Sequence, residues 1–205
     1  MTLAVPPAAR SPAPRIDPMH AIAPTDQVVL LTERLILRRT TQADVALIYE
    51  ANRQLNADYD SAPALGPEEL AELHAHFDAE WTARGIGYFI AIEAASGLPV
   101  GHVRLKWLEG ATPGRMAELI YAIHPAYQSR GFATEAVREV LSYAFAKAGL
   151  DYVIACIEPD NAASLAVARR NRMTAVSQGL MHGRIMTRHL ISAKAWAVLM
   201  TLHGR

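Results

Sequence analysis

The stretch from Met116 to Ile157 constrains the fold more than any other part of the chain. It opens with Met116 to Ile123, an alternating run whose period of two is that of a half-buried strand. Past a turn holding Pro125 and Gly131, Ala136, Val137, Val140, Leu141, Ala144, Phe145 and Ala148 recur at helical spacing. They predict a long amphipathic helix from about Ala133, with Lys147 in its last turn and Gly149 as its stop. Tyr152 to Ile157 then runs apolar without a break, as a fully buried strand does. Strand, helix and strand at this spacing return the chain to one sheet as a parallel pair through a right-handed crossover.

The flanking segments decide the rest of the architecture. Tyr88 to Glu93, Val100 to Trp107 and Met116 to Ile123 are separated by turn clusters at Ser96 to Pro99 and Gly110 to Gly114, the pattern of consecutive antiparallel strands. Earlier, Leu35 to Leu37 reads as a short strand, with Arg38 and Arg39 as an edge-strand charge pair. Thr41 and Asp44 approximate a capping box for a helix carrying Val45 and Ile48. Gly66 and Pro67 open a second helix with the apolar stripe Leu70, Leu73, Phe77 and Trp81. After the crossover, Pro159, Asp160 and Asn161 start a helix to about Asn171, and two weaker strands, Thr174 to Gln178 and Arg184 to Ser192, finish the fold. The sum is an α+β layout, a central mixed, mostly antiparallel sheet flanked by helices.

Half of the twelve prolines precede Gln27, so residues 1–27 read as a Pro/Ala-rich, loosely ordered extension and 28–205 as one domain. Lys and Arg total 20 against 20 Asp and Glu, and this zero net charge excludes attraction to nucleic acid or an anionic membrane by bulk charge. One cysteine, Cys156, permits no intramolecular disulfide, and no Cys/His set has zinc spacing; the chain is expected to be cytoplasmic and without a metal. No apolar run reaches the roughly 18 to 20 residues of a membrane span.

The chemistry concentrates between the central strand and the long helix, in His124 to Thr134. A strand passing through a glycine-containing turn into a helix presents unpaired NH groups and the positive end of the helix dipole, which favour a phosphate. Gly131 allows the ligand close to the backbone. The segment is neither the GxGxxG dinucleotide fingerprint nor a GxxxxGK[ST] loop.

Gln128-Ser129-Arg130-Gly131-Phe132-Ala133 resembles the Q-x-x-G-x-A acetyl-CoA pyrophosphate loop of the GNAT acyltransferases. Ala117 to Pro125, Ala133 to Ala136 and Asn161 to Ser164 stand where that family has its counterparts, and the likeness runs from about Leu30 to Val198. In detail the chain is most similar to the ribosomal-protein N-terminal (alanine and serine) acetyltransferases. The resemblance implies the GNAT fold and transfer of acetyl from acetyl-CoA to a primary amine, a protein N-terminus or small amine, by direct attack in a ternary complex. It also implies a site, residue by residue. Backbone groups near Ala122, Ile123 and His124 would pair with the pantetheine where the strand splays from its neighbour. The loop from Gln128 through Ser129, Arg130, Gly131, Phe132, Ala133 and Thr134 would hold the pyrophosphate, with the Arg130 side chain free to add a charge. Asn161 would offer its amide to the pantetheine and Ser164 would face the thioester, although both also suit a plain helix cap. Glu118 stands where the family carries a glutamate, and is the expected base.

Two departures qualify these expectations. Arg172-Met173 replaces the usual Gly-aromatic or Gly-Met pair, so another residue, such as Asn171, is expected to take the left-handed turn. The helix from Asn161 also lacks the tyrosine with which many GNAT enzymes protonate the departing thiolate, leaving water or Ser164. Elsewhere, His74 and His76 point apart on a helix and suit no metal, and His182 lies in a loop that could border the acceptor. Cys156 reads as a buried, inert strand residue, and Arg169, Arg170 and Arg172 as a helix-end cluster within possible reach of the CoA phosphates. A non-catalytic acetyl-CoA sensor or scaffold would carry the same loop, and monomer and homodimer are equally compatible with the sequence.

Overall fold

The computed structural model describes residues 29–55, 64–110, 114–181 and 183–203; the N-terminal extension and His182 lie outside them. The strands are β1 (Val29–Leu31), β2 (Leu35–Arg39), β3 (Tyr88–Glu93), β4 (Leu98–Trp107), β5 (Met116–Ile123), β6 (Tyr152–Ile157), β7 (Thr174–Met181) and β8 (Arg184–Ser192). The helices are α1 (Gln42–Leu55), α2 (Pro67–Arg84), α3 (Phe132–Ala146), α4 (Ala162–Arg170) and α5 (Ala193–His203). They form one eight-stranded sheet in the order β1-β2-β3-β4-β5-β6-β8-β7, antiparallel throughout except for β5 beside β6. This is the α+β arrangement that the sequence layout requires, with α3 as the crossover. No helix among the described residues is long and apolar enough to cross a membrane.

The sheet divides the core in two. On one face Leu37, Phe89, Val103, Leu105, Leu119 and Val153 pack with the stripe of α3, where Ala136, Val137, Val140, Leu141 and Ala144 are fully buried. On the other, Ile90 and Ile92 meet Val45 and Ile48 of α1 and Phe77 of α2. Residues alternating along one strand thus enter different clusters, as the pleat dictates.

Three sequence expectations change. β2 is no edge: it lies between β1 and β3, and Arg38 is 2% exposed. Its Nη1 and Nη2 donate to the two carboxylate oxygens of Asp44 at 2.6 and 3.2 Å. Asp44 also closes the capping box, its Oδ2 accepting from Thr41 N and Oγ1 at 2.7 Å each. Arg39 pairs with Asp78 of α2 and lies over the Trp81 ring. Secondly, a fifth helix, α5, follows β8 directly, with Ser192 Oγ accepting from Ala195 N at 3.2 Å. Thirdly, the left-handed residue after α4 is Arg172 itself, φ 59°, while Asn171 stays at φ −92°.

Removing one partner of a buried ion pair leaves an uncompensated charge in a low-dielectric site. Asp44→Ala is therefore expected to destabilise the protein by about 3–5 kcal/mol, read from the urea unfolding midpoint. A loss under about 1 kcal/mol would show the pair to be dispensable.

Candidate active site

β5 builds the centre of the site by leaving one neighbour and keeping the other. Against β4 its register continues to Ile123, opposite Gly101, whereas against β6 it ends at Glu118, opposite Ile154. Leu119 to Ile123 therefore have one open edge. Which backbone groups face it follows from the ladder. Leu108 N donates to Met116 O at 3.0 Å and His124 N to Val100 O at 2.9 Å, so the even-numbered residues direct their NH and CO groups to β4. The odd-numbered Leu119, Tyr121 and Ile123 direct theirs to the gap. Of the three residues expected there, Ile123 faces the gap, while the ladder groups of Ala122 and His124 are engaged with β4. Gln128 Nε2 donates to Ile123 O at 2.9 Å, so this side chain braces the strand end beneath the loop.

The loop beyond is an anion cradle by geometry. A 3₁₀ turn, Pro125–Tyr127, leads to Ser129 at φ 61° and Gly131 at φ 85°, the N-cap of α3. Gly131 caps with no side chain, and the first amide to find a carbonyl is Glu135 N, on Gly131 O at 3.1 Å. Among the described residues the amides of Ser129, Arg130, Gly131, Phe132, Ala133 and Thr134 have no acceptor. Consecutive free NH groups at the positive end of a helix form a site for phosphate oxygens.

A clamp fixes this cradle. Glu135 accepts from Thr32 Oγ1 at 2.6 Å, Arg34 N at 2.9 Å and Arg34 Nε at 2.7 Å, while Arg34 Nη1 donates to Arg130 O at 3.0 Å. Burial would push the Glu135 carboxyl up, but the Thr32 and Arg34 bonds outweigh it and hold it below the ordinary range. The expectation of a free Arg130 side chain is corrected: it pairs with Glu93 at 3.0 Å and lies over the Tyr127 and Phe132 rings.

At the other end of the gap, Asn161 caps α4, its Oδ1 accepting from Ser164 N at 3.0 Å. The plain cap is thus realised, and it leaves the Asn161 amide nitrogen available as a donor. Tyr121, which the sequence reading passed over, brings its hydroxyl to Ser164 O at 3.3 Å, and burial raises its pKa. Counting strand alternation from the buried Leu119 would have placed it on the α4 side.

Glu118 is half-buried on the opposite face, at the last β5–β6 pair. It stands across from Lys106 of β4 and is hydrogen-bonded with Cys156 of β6. Cys156 is half-buried rather than buried. Burial pushes its thiol up, the Glu118 charge and hydrogen bond push the same way, and Arg188 opposes them. It is a donor to the carboxylate and a poor nucleophile. His102, on the same sheet face two β4 positions from Arg104, is lowered to about 4 by burial and by the Arg104 charge, and stays neutral near pH 7. Among the described residues no group of three His, Cys, Asp or Glu could hold a metal ion.

Comparison with known proteins agrees with this geometry. A family profile described as "Acetyltransferase (GNAT) domain" matches residues 34–174. The uncharacterized N-acetyltransferase YoaA of Bacillus subtilis (strain 168) is 32% identical over 139 residues, 66% of this chain and 77% of that protein. A spermidine N-acetyltransferase from Vibrio cholerae, solved with CoA and spermine, superposes with a TM-score of 0.65 at 21% identity, covering 81% of this chain and 99% of its own. A ribosomal-protein-S5-alanine acetyltransferase from Vibrio fischeri superposes with a TM-score of 0.67 at 16% identity, covering 82% and 98%.

Proposed function

The chain belongs to the GNAT acetyltransferase family, and from that membership we propose that it transfers acetyl from acetyl-CoA to a primary amine by direct attack in a ternary complex. The observation that carries the reading is the run of six free amides, Ser129 to Thr134, at the end of a strand with an open edge. The amides hold the pyrophosphate. Tyr121 offers its backbone groups, Ile123 its NH and Leu119 its carbonyl to the pantetheine like an added strand, and the Asn161 amide supplies a further donor.

With the thioester between β5 and α4, the reaction needs two protons taken from the amine nitrogen and one delivered to the departing thiolate. The amine arrives as an ammonium ion, and Glu118 takes its proton, directly or through a water. The amine nitrogen then bonds to the thioester carbon, backbone NH groups of the gap stabilise the oxyanion, and the C–S bond breaks. The thiolate takes a proton from the Tyr121 hydroxyl, which lies at the first turn of α4 where the helix has no tyrosine of its own, and the second proton that the nitrogen loses as the adduct collapses to the amide passes through water to restore the hydroxyl. Ser164 contributes through the carbonyl that positions this hydroxyl. No covalent enzyme intermediate is required.

The acceptor belongs to the primary amines, with a protein N-terminus of the ribosomal-protein type and a small polyamine as the two classes to compare. The acetyltransferase domain is proposed to span residues 28–205, with 1–27 as an accessory extension. Acetyl-CoA at about 100 times its dissociation constant should stabilise the folded chain by roughly 2.7 kcal/mol, seen as a raised Tm. Free-thiol release should follow on adding peptides with N-terminal Ala or Ser, or polyamines. Binding without thiol release across that panel would favour the sensor or scaffold role instead.

A further inference from the structure

We propose that the amine acceptor carries a carboxylate close to its nitrogen, bound by Arg188 with Lys106 as the flanking cation. The acceptor is then an amino carboxylate, free or as an N-terminal aspartate, and not a polyamine. The inference rests on the acetyl-transfer reading above and on Glu118 as its base.

The placement follows from the register of the sheet. Lys106 and Glu118 are cross-strand partners on β4 and β5, and Cys156 and Arg188 are partners on β6 and β8. Glu118 is opposite Ile154 at the last β5–β6 pair, and Cys156 is the next residue of β6 on that face. All four side chains therefore share the sheet face away from Tyr121 and α4, from which an amine must come to meet the base. Glu118 is half-buried there, while Lys106 and Arg188 are exposed. The base thus has a cation on each side, Lys106 across the β4–β5 ladder and Arg188 beyond the gap.

The charge balance of this face is one-sided. Arg104, Lys106, Arg184 and Arg188 all belong to it, and Glu118 is the single carboxylate among the described residues of β4, β5, β6 and β8 that does. Arg104 is met by Glu80 of α2, and Arg184 by Glu158 at 2.8 Å. The charges of Lys106 and Arg188 remain beside the base. Every further ammonium of a polyamine would approach one of them, a like-charge contact that selects against such an acceptor.

Cys156 sets the spacing between the two halves of the ligand. Its thiol donates to the Glu118 carboxylate, and its sulfur accepts from the Arg188 guanidinium. Hydrogen bonds meeting on one sulfur keep the carboxylate and the guanidinium within about 7 Å of each other. An amine and a carboxylate separated by one or two carbons bridge that distance, the amine on Glu118 and the anion on Arg188. The planar guanidinium fork suits a carboxylate in particular.

The test is steady-state thiol release from acetyl-CoA with acceptors matched except for the anion: free amino acids against their carboxamides, peptides with N-terminal Asp against the same peptides with N-terminal Asn, and spermidine. In the wild type the carboxylate member of a pair should lead by about 10- to 100-fold in kcat/KM, as expected for a charged hydrogen-bonded contact, and spermidine should fall behind it. Whether the free acid or the Asp peptide leads identifies the source of the carboxylate. Arg188→Gln alters an exposed side chain, so its Tm should be kept. The KM of the favoured acceptor should rise by a similar factor, with a much smaller change in kcat, and the pair should become level. A purely structural role would not divide KM from kcat in this way. Carboxamides or spermidine turned over by the wild type as well as the carboxylates, or an undiminished preference in Arg188→Gln, would overturn the inference and leave acetyl transfer standing. No thiol release with any of these acceptors would overturn both.

Discussion

Glu118→Gln should lower turnover on an amine acceptor by roughly 10²- to 10⁴-fold while leaving CoA affinity within about a factor of two. Glutamine keeps the shape of the side chain and can still accept the Cys156 hydrogen bond at the point where β5 parts from β6, but it cannot take the ammonium proton. The loss should depend on pH in a direction that identifies the acceptor. As pH rises the amine arrives increasingly neutral and needs the base less. For an α-amino acceptor, with a pKa of about 8, the deficit should shrink through the mildly alkaline range; for an alkyl amine it should persist towards pH about 10. Steady-state thiol release from pH 6 to 9 reads both. Near-wild-type turnover of the variant across neutral pH would place the base elsewhere.

Gly131→Val should abolish the Tm shift produced by acetyl-CoA at a concentration that stabilises the wild type by roughly 2.7 kcal/mol. Two effects add. The side chain would stand among the free amides of the cradle, its Cβ 3.3 Å from Arg34 Nη2, and a β-branched residue is poorly tolerated at φ 85°. The variant should therefore also lose about 1–3 kcal/mol of intrinsic stability. Gly131→Ala carries less bulk and keeps the comparison interpretable: it should remain folded and show a reduced shift. An undiminished ligand shift in a folded Gly131→Val protein would remove the phosphate-loop assignment.

The parts of this fold legible in the sequence are those with a local cause. The α3 stripe, the strands on either side of it and the Gly66-Pro67 start of α2 each follow from spacing or from the conformational limits of one residue. Arg38 was not legible, because the guanidinium is buried only once Asp44 has folded back against β2, and two adjacent arginines after apolar residues look like an exposed strand end. α5 carried a weak signal in Ser192, Trp196 and Leu199, but it follows β8 without a turn. The site divides in the same way. The cradle could be read from one glycine before a helix, whereas the backbone groups facing the gap depend on the β4–β5 register, in which a shift of one residue exchanges Ile123 for Ala122. Tyr121 and the Arg34–Glu135 clamp depend on partners more than forty residues away in the chain.

The early end of the β5–β6 ladder also has a mechanical meaning. Five strands on one side and three on the other are joined edge to edge by three residue pairs, Met116 with Tyr152, Ala117 with Val153 and Glu118 with Ile154, and otherwise through α3 and the packing beneath it. The molecule is a book of two leaves whose spine is stitched at one end. A pantetheine arm lying in the open part would complete the stitching, so the substrate becomes a structural member of the sheet for as long as it is bound. Departure of the product would restore the unstitched spine, and the rigidity of the enzyme would then vary with each turn of its own cycle.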